Sequence, residues 1–336
     1  MLRKLLFTLL GFVGSVVLLE VILHMFPVAT GYGYGPVDAA NPILQGTAFA
    51  PYTYSLGWNF RRVSHGTLNN EGFISDRNYG PNGGDSVVVV GDSYVQAAAV
   101  PEGLNLHAQL AARLRPVEVA GLSRAGGSLP DYLAMARWGV DRYHAGVLVV
   151  LIVSGDVADS VNPKAGGYYF QQTVQGYVNT RIDRAKLGNV QQTLNRSMLF
   201  RYLYDNLAFT VNFPERPQVP TIAVAGDAAR LERYRQICKF FLDQLVLIMP
   251  PEKIVLLIYP GRRAGSFVYD TDVNVMRDSA QQRGFRVLNL GPLFATYEEH
   301  NRHRLDASPI DSHWNALAQQ VVADELAPQL HDILSK

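Results

Sequence analysis

A chain of 336 residues, 48% of them hydrophobic, can bury one large core, or one core with a small appendage. Its 30 basic and 29 acidic side chains leave a formal net charge of +1, so no excess of positive charge points to nucleic acid. Its single cysteine, Cys238, excludes an internal disulfide and lies in the apolar run Ile237-Cys238-Lys239-Phe240-Phe241, where a buried, inert thiol is expected.

Residues Leu5 to Phe26 are almost continuously apolar, enough for a helix to cross about 30 Å of hydrocarbon. Arg3 and Lys4 precede them, and the positive-inside rule then keeps the N-terminus cytoplasmic and sends the rest across the membrane. A cleaved signal peptide is the rival reading. The apolar run is longer than the usual core of such a peptide, no small-x-small site follows it cleanly, and no cysteine is available for lipidation. An uncleaved transmembrane anchor over residues 1–28 is therefore expected. Glu20 and His24 lie one helical turn apart in its second half, either as an interfacial pair or as a contact for a membrane partner.

Residues 29–82 are rich in Gly, Pro, Asn and Tyr and read as a linker with an irregular lead-in. Val87-Val88-Val89-Val90 follows, four β-branched residues without polar alternation, which predicts a strand buried on both faces in a parallel sheet. Gly91-Asp92-Ser93-Tyr94 comes directly after it. Ligands of open parallel sheets bind at the carboxyl ends of the strands, so Ser93 occupies a position where chemistry is usually done. Gly91 permits a tight turn, Asp92 can bond the local backbone, and Ser93 opens a helix whose N–H groups favour negative charge. The same tripeptide also makes an ordinary turn and helix cap, so alone it does not decide.

Helices are predicted over Leu104–Leu114, Leu129–Tyr143, Leu231–Met249, Asp272–Gln282 and Asn315–Leu334, and strands over Pro116–Ala120, Val147–Val153, Lys253–Tyr259 and Phe285–Leu290. Strands alternating with helices imply an α/β domain over 83–336, doubly wound and flavodoxin-like, with a parallel sheet of about five strands and helices on both faces. An insertion at about 157–225 breaks the rhythm. Its aromatic residues Tyr168, Tyr169, Phe170, Tyr177, Phe200, Tyr202 and Tyr204 either wall a substrate cleft or pack the insertion onto the body.

A serine hydroxyl needs a base to take its proton, and a histidine base needs a carboxylate to hold its tautomer. Asp311 and His313, in Asp311-Ser312-His313-Trp314-Asn315, supply both from one loop. Asp306 and His303 are rivals in a polar stretch, Glu298 to Ser308, whose default reading is solvated surface. Asp156 and Asp159 share a loop without histidine partners, which is weak evidence for a metal, and neither metal nor organic cofactor is expected.

Together, Gly91-Asp92-Ser93-Tyr94 and Asp311-Ser312-His313-Trp314-Asn315 resemble the nucleophile and acid/base blocks of the SGNH (GDSL-type) hydrolase superfamily. The resemblance is to its membrane-anchored periplasmic members and to the acyltransferases of bacterial polysaccharide O-acetylation, and it covers about residues 53 to 334. Leu68-Asn69-Asn70-Glu71-Gly72-Phe73 is similar to an Asn-x-x-Gly-Phe element of anchored members, read here as packing against the sheet. The resemblance implies Ser93 as nucleophile, His313 as base and Asp311 as its orienting carboxylate. It implies an oxyanion hole from the N–H groups of Ser93 and of Gly126, with Gly127 the close alternative, in Arg124-Ala125-Gly126-Gly127-Ser128.

It also implies a third donor, an asparagine side chain after the third strand. Gly155 stands in that place, so Ser154, Asn162 or a residue of the insertion would have to substitute. Gly121 likewise replaces an asparagine expected to open the second loop. Losing one oxyanion donor typically costs about a hundred- to a thousand-fold in turnover. The function so implied is an exported serine esterase or O-acyltransferase acting on acylated envelope glycan, in the bacterial inner membrane with its main domain periplasmic. The alternative is a catalytically weakened accessory or scaffold subunit of a membrane complex, which the Gly155 departure favours. A carbohydrate-binding protein using the same cleft is a third reading.

Overall fold

The computed structural model describes residues 1–31, 33–35, 37–38, 41–80, 86–183, 194–207, 227–263, 266–309 and 311–336. The chain divides into two compact units. The smaller comprises Met1–Tyr32, Pro51–Gly66 and Lys186–Pro217, and the larger Gly33–Ala50, Thr67–Ala185 and Gln218–Lys336. Parts of the lead-in and of the insertion thus belong with the N-terminal helix.

In the larger unit, strands β1 (Ser86–Gly91), β2 (Glu118–Ser123), β3 (Ala145–Val153), β4 (Ile254–Tyr259) and β5 (Arg286–Asn289) form one sheet in the order β5-β4-β3-β1-β2, with every pair parallel. This is the doubly wound, flavodoxin-like sheet that the alternation predicts, and its order reverses between β1 and β3. The helices that cover it are, in chain order, α2 (Leu106–Arg113), α3 (Leu129–Tyr143), α4 (Asp227–Val246), α5 (Thr271–Gln282), α6 (Leu290–Asn301) and α7 (Ala316–Leu334). Val88 and Val90 share one core with Leu129 and Leu133 of α3, Ile237 and Phe241 of α4, and Met276 of α5. Val87 and Val89 share the other with Leu110 of α2, Phe294 of α6, and Val322 and Leu326 of α7. With both faces buried, the strand tolerates no polar alternation, and each fully buried valine contributes about 1.5–3 kcal/mol. Cys238 is fully buried on α4, and burial pushes its thiol pKa up.

Helix starts follow local chemistry. Asn105 and Asn315 accept from the N–H groups of Ala108 and Ala318, and Ser128 with Asp131 closes a capping box at the start of α3. The insertion contains a hairpin, Tyr168–Thr173 paired with Gly176–Arg181. Its Phe170 is buried edge-on against Phe240 of α4, at 5.0 Å between centroids, with Tyr177 beside both. For these two rings the packing reading holds. Residues 184–193 and 208–225 of the expected insertion lie outside the described residues.

The smaller unit begins with helix α1 (Leu2–Leu23), whose most apolar window has a mean hydropathy of 2.4 and no buried residue. Its length and composition suffice to cross a membrane, a test that a signal sequence also passes. Its last turns are tied into folded structure. The Glu20 carboxylate, 3.6 Å from His24, accepts from the N–H groups of Met198 (2.8 Å) and Leu199 (2.9 Å) and from the Ser197 hydroxyl (2.8 Å). It thereby caps the helical turn Met198–Arg201. Just beyond α1, the Ala29 N–H donates to Asn206, whose side-chain amide donates to Ser55 of the strand Pro51–Leu56.

Candidate active site

The end of β1 is shaped by close approach. A Cβ on Gly91 would lie 2.5 Å from Val95 and 3.3 Å from Leu151, so only glycine lets the chain turn this tightly into Ser93–Gln96, a single helical turn. Asp92 is buried and accepts from the Tyr94 N–H at 2.9 Å. Burial lifts its pKa to about 6, against the N–H bond from Tyr94 and the positive charges of His313 and Lys164.

Asp311–Trp314 forms a short strand antiparallel to Asp306–Ser308, so the two residues that a sequence reading puts in a loop stand on an extended segment. That spacing sends the side chains at 311 and 313 to one side. Ser93 Oγ lies 2.7 Å from His313 Nε2, and His313 Nδ1 lies 2.6 Å from Asp311 Oδ1. Ionised Asp311 only accepts, so Nδ1 carries the proton and Nε2 of the neutral ring is left to accept from Ser93. Burial pulls the His313 pKa down, but its hydrogen bond to Asp311 and the charges of Asp311 and Asp92 outweigh this and raise it. All three residues singled out from the sequence are brought together. Asp306 instead faces Arg262 at 3.0 Å, and His303 Nδ1 lies 2.7 Å from the Asn301 carbonyl, so the two rivals have other partners.

Residues that sequence reasoning missed hold this side of the site. The Tyr94 ring lies 4.8 Å from the His313 ring and 5.4 Å from that of Trp314, which is buried against Tyr259 and Phe294. Buried Gln319 on α7 accepts from the Leu106 N–H at 2.9 Å and donates to the Tyr94 carbonyl at 3.1 Å. One amide thus joins α2, the serine turn and α7.

The opposite side is more open. The loop after β2 is tied to the serine strand by the Arg124 N–H, which donates to the Gly91 carbonyl at 3.2 Å. Gly126 is exposed, with φ +67°, and its N–H has no acceptor among the described residues. The Gly127 N–H donates to the Arg124 carbonyl at 2.9 Å, which removes it as the alternative donor. Lys164 Nζ donates to the Gly126 carbonyl at 3.0 Å and pairs with Asp159 at 2.8 Å. Gly121 lies inside β2 opposite Val89 rather than at the loop, and a Cβ there would meet the buried His107 ring at 2.2 Å.

After β3, Gly155 adopts φ +100° and nothing lies within 4 Å of a Cβ built there. Its N–H donates to Asp272 at 2.9 Å, the Ser154 hydroxyl donates to Asp270, and the Asn162 amide donates to Asp159 at 3.4 Å. Both side chains named as substitutes for the missing amide are therefore engaged elsewhere. Asp156 is buried, accepting from the Tyr132 hydroxyl at 3.0 Å and the Val153 N–H at 2.8 Å. Burial, with the charge of Asp92 adding, raises its pKa well above the carboxylate range. Among the described residues there is no group of three or more His, Cys, Asp and Glu side chains able to hold a metal.

No family model matches the sequence, and no curated protein matches it. Solved structures do align with it. An alpha/beta hydrolase enzyme from the metagenome of Lake Arreo, Spain, covers 76% of this chain and 98% of its own, at 16% identity and a TM-score of 0.43. A member of the lipolytic protein G-D-S-L family from Veillonella parvula covers 72% and 96%, at 10% identity and a TM-score of 0.39. A catalytic mutant of an acetylxylan esterase from Geobacillus stearothermophilus covers 75% and 95%, at 11% identity and a TM-score of 0.40. Likeness at this distance assigns no residue a role here. The doubly wound fold rests on this chain's own strand order, and the SGNH resemblance on its two sequence blocks, which the fold brings to one point.

Proposed function

We propose that the chain is a membrane-anchored serine esterase or O-acyltransferase that works through an acyl-enzyme on Ser93. The observation that carries this reading is the continuous relay Ser93–His313–Asp311 at the carboxyl end of the central strand. His313 Nε2 takes the proton as Ser93 Oγ attacks the acyl carbonyl, and Asp311 steadies the imidazolium that forms. The oxyanion is received by the N–H groups of Ser93 and Gly126. As the carbonyl re-forms, the leaving oxygen takes the proton from His313. Water or a sugar hydroxyl then repeats the sequence on the acyl-Ser93, regenerating the serine.

α1 supports anchoring, and the use of Glu20 as a cap favours a retained helix over a cleaved signal, since cleavage would strip residues 197–199 of three bonds. With Arg3 and Lys4 cytoplasmic, the larger unit lies outside the bacterial inner membrane, where acylated envelope glycan is the fitting substrate. A second reading, an accessory subunit with weakened catalysis, is favoured by the open space at Gly155 and the engagement of Ser154 and Asn162.

The two readings separate on purified full-length chain treated with a fluorophosphonate probe and with p-nitrophenyl acetate. The enzyme reading expects labelling and turnover, both abolished in Ser93→Ala, with turnover falling by about a million-fold. A folded wild-type chain that neither labels nor turns over the ester leaves the accessory reading.

A further inference from the structure

The smaller unit carries a surface for which acyl transfer has no use. Directly after α1, Met25 and Phe26 are 82% and 48% exposed, and Trp58, between the strands Pro51–Leu56 and Arg62–Thr67, is 72% exposed. Leu203 and Tyr204 are 40% and 45% exposed. These residues come from three stretches of chain that ring contacts join. Phe26 stacks on Phe60 at 5.1 Å, and Phe60 lies 5.4 Å from Tyr202. The Tyr202 hydroxyl donates to the Trp58 carbonyl at 3.1 Å, and Tyr204 stacks on Phe200 at 5.7 Å. Arg61, Arg62, Arg196 and Arg201 belong to the same unit, whose carboxylates among the described residues are Glu20 and Asp205.

Contiguous exposed apolar surface on a folded unit marks an interaction site. Here the position of the patch identifies what covers it. The 22 residues of α1 rise about 33 Å, which matches the hydrocarbon thickness of about 30 Å. The aromatic ledge starts at Phe26, three residues beyond the helix end, at the depth where hydrocarbon gives way to headgroups. Glu20 lies within the last turn of that span, and its three donors draw residues 197–199 to the same depth. A carboxylate so close to hydrocarbon is sustained by such bonding. Tryptophan and tyrosine favour this boundary, and arginine stems reach from it toward phosphate.

We infer that the smaller unit is seated in the headgroup layer of the membrane from which α1 emerges, with Trp58, Phe60, Tyr202 and Tyr204 as an aromatic belt on a phospholipid surface. This rests on α1 being a retained span and is independent of catalysis at Ser93. The test uses full-length chain reconstituted in phosphatidylcholine–phosphatidylglycerol vesicles, with and without acyl chains brominated near their carbonyl ends. Trp314 is buried and Trp138 half-buried, so the difference between wild type and Trp58→Phe isolates the Trp58 emission. The expected result is that brominated lipid quenches this component and aqueous iodide does not. Quenching by iodide with no effect of bromine overturns the seating. Carbonate washing of the same vesicles tells the two failures apart: a chain that stays with Trp58 unquenched loses only the seating, and a chain that is released loses the span as well.

Discussion

The two sides of the Ser93 hydroxyl are built to different standards. On the base side, His313 is fixed by Asp311, flanked by Tyr94, and backed by buried Trp314, while Gln319 locks the serine turn to two helices. Past the carboxyl ends of β2 and β3, two glycines, Gly126 and Gly155, sit at positive φ, one exposed and one beside open space, and Lys164 and the Arg124 N–H brace the loop of the first. The His313 side is thus closely packed, and the glycine side sparsely. On the proposed mechanism, the relay governs whether the serine can react and the glycine side governs how fast it turns over.

The sharpest break of this contrast is Asp311→Asn. It keeps the shape but removes the charge that sets the tautomer, and ester turnover should fall by about ten-thousand-fold, measured with p-nitrophenyl acetate. Next comes repair of the weak side. Gly155→Asn restores an amide where nothing obstructs it and should raise turnover by about a hundred-fold. The φ of +100° there should cost about 1–3 kcal/mol of stability. Gly155→Ala carries the same backbone strain without the amide and should gain nothing; equal rates for the two variants would mean that the opening at Gly155 does not face the reacting carbonyl.

A smaller effect tests the rigid side. Gln319→Leu leaves the buried Leu106 N–H and Tyr94 carbonyl without their partner and should cost about 1–3 kcal/mol in urea unfolding. Unchanged stability would remove Gln319 as the lock. The mildest readout is pH. His313 must be neutral to act, and its pKa is raised above 6.5, so kcat/KM should climb with pH to a half-maximum above 6.5. The same shift means that His313 adds stability below pH 6.5 that is lost as pH rises through its raised pKa. A kinetic midpoint below 6.5 would show that burial, not Asp311, governs the ring.

The legible parts of this chain were those written in local pattern. Val87–Val90 could only be a doubly buried strand, and Leu129–Tyr143 has the same bounds in sequence and structure because a capping box and Pro130 mark its start. Ser93, Asp311 and His313 were legible because the chemistry needs those types in order. Helix α6 was not, since only Leu290, Gly291 and Phe294 are buried and its polar last turns read as loop. The hairpin Tyr168–Arg181 was hidden by polar residues on both faces, with Phe170 its one buried side chain. Glu20 stood out as a charge in an apolar helix, but its capping partners and the role of Gln319 were beyond any local reading, because those partners lie 177 and 213 residues away.

Cys238 gives the larger unit a built-in clock. Its thiol is sealed in the core beneath α4 and held far from its reactive thiolate form, so a thiol reagent can reach it only while that core is open. The rate at which Cys238 is alkylated in the intact chain therefore measures how often the larger unit breathes, in detergent or in lipid, without any engineered label.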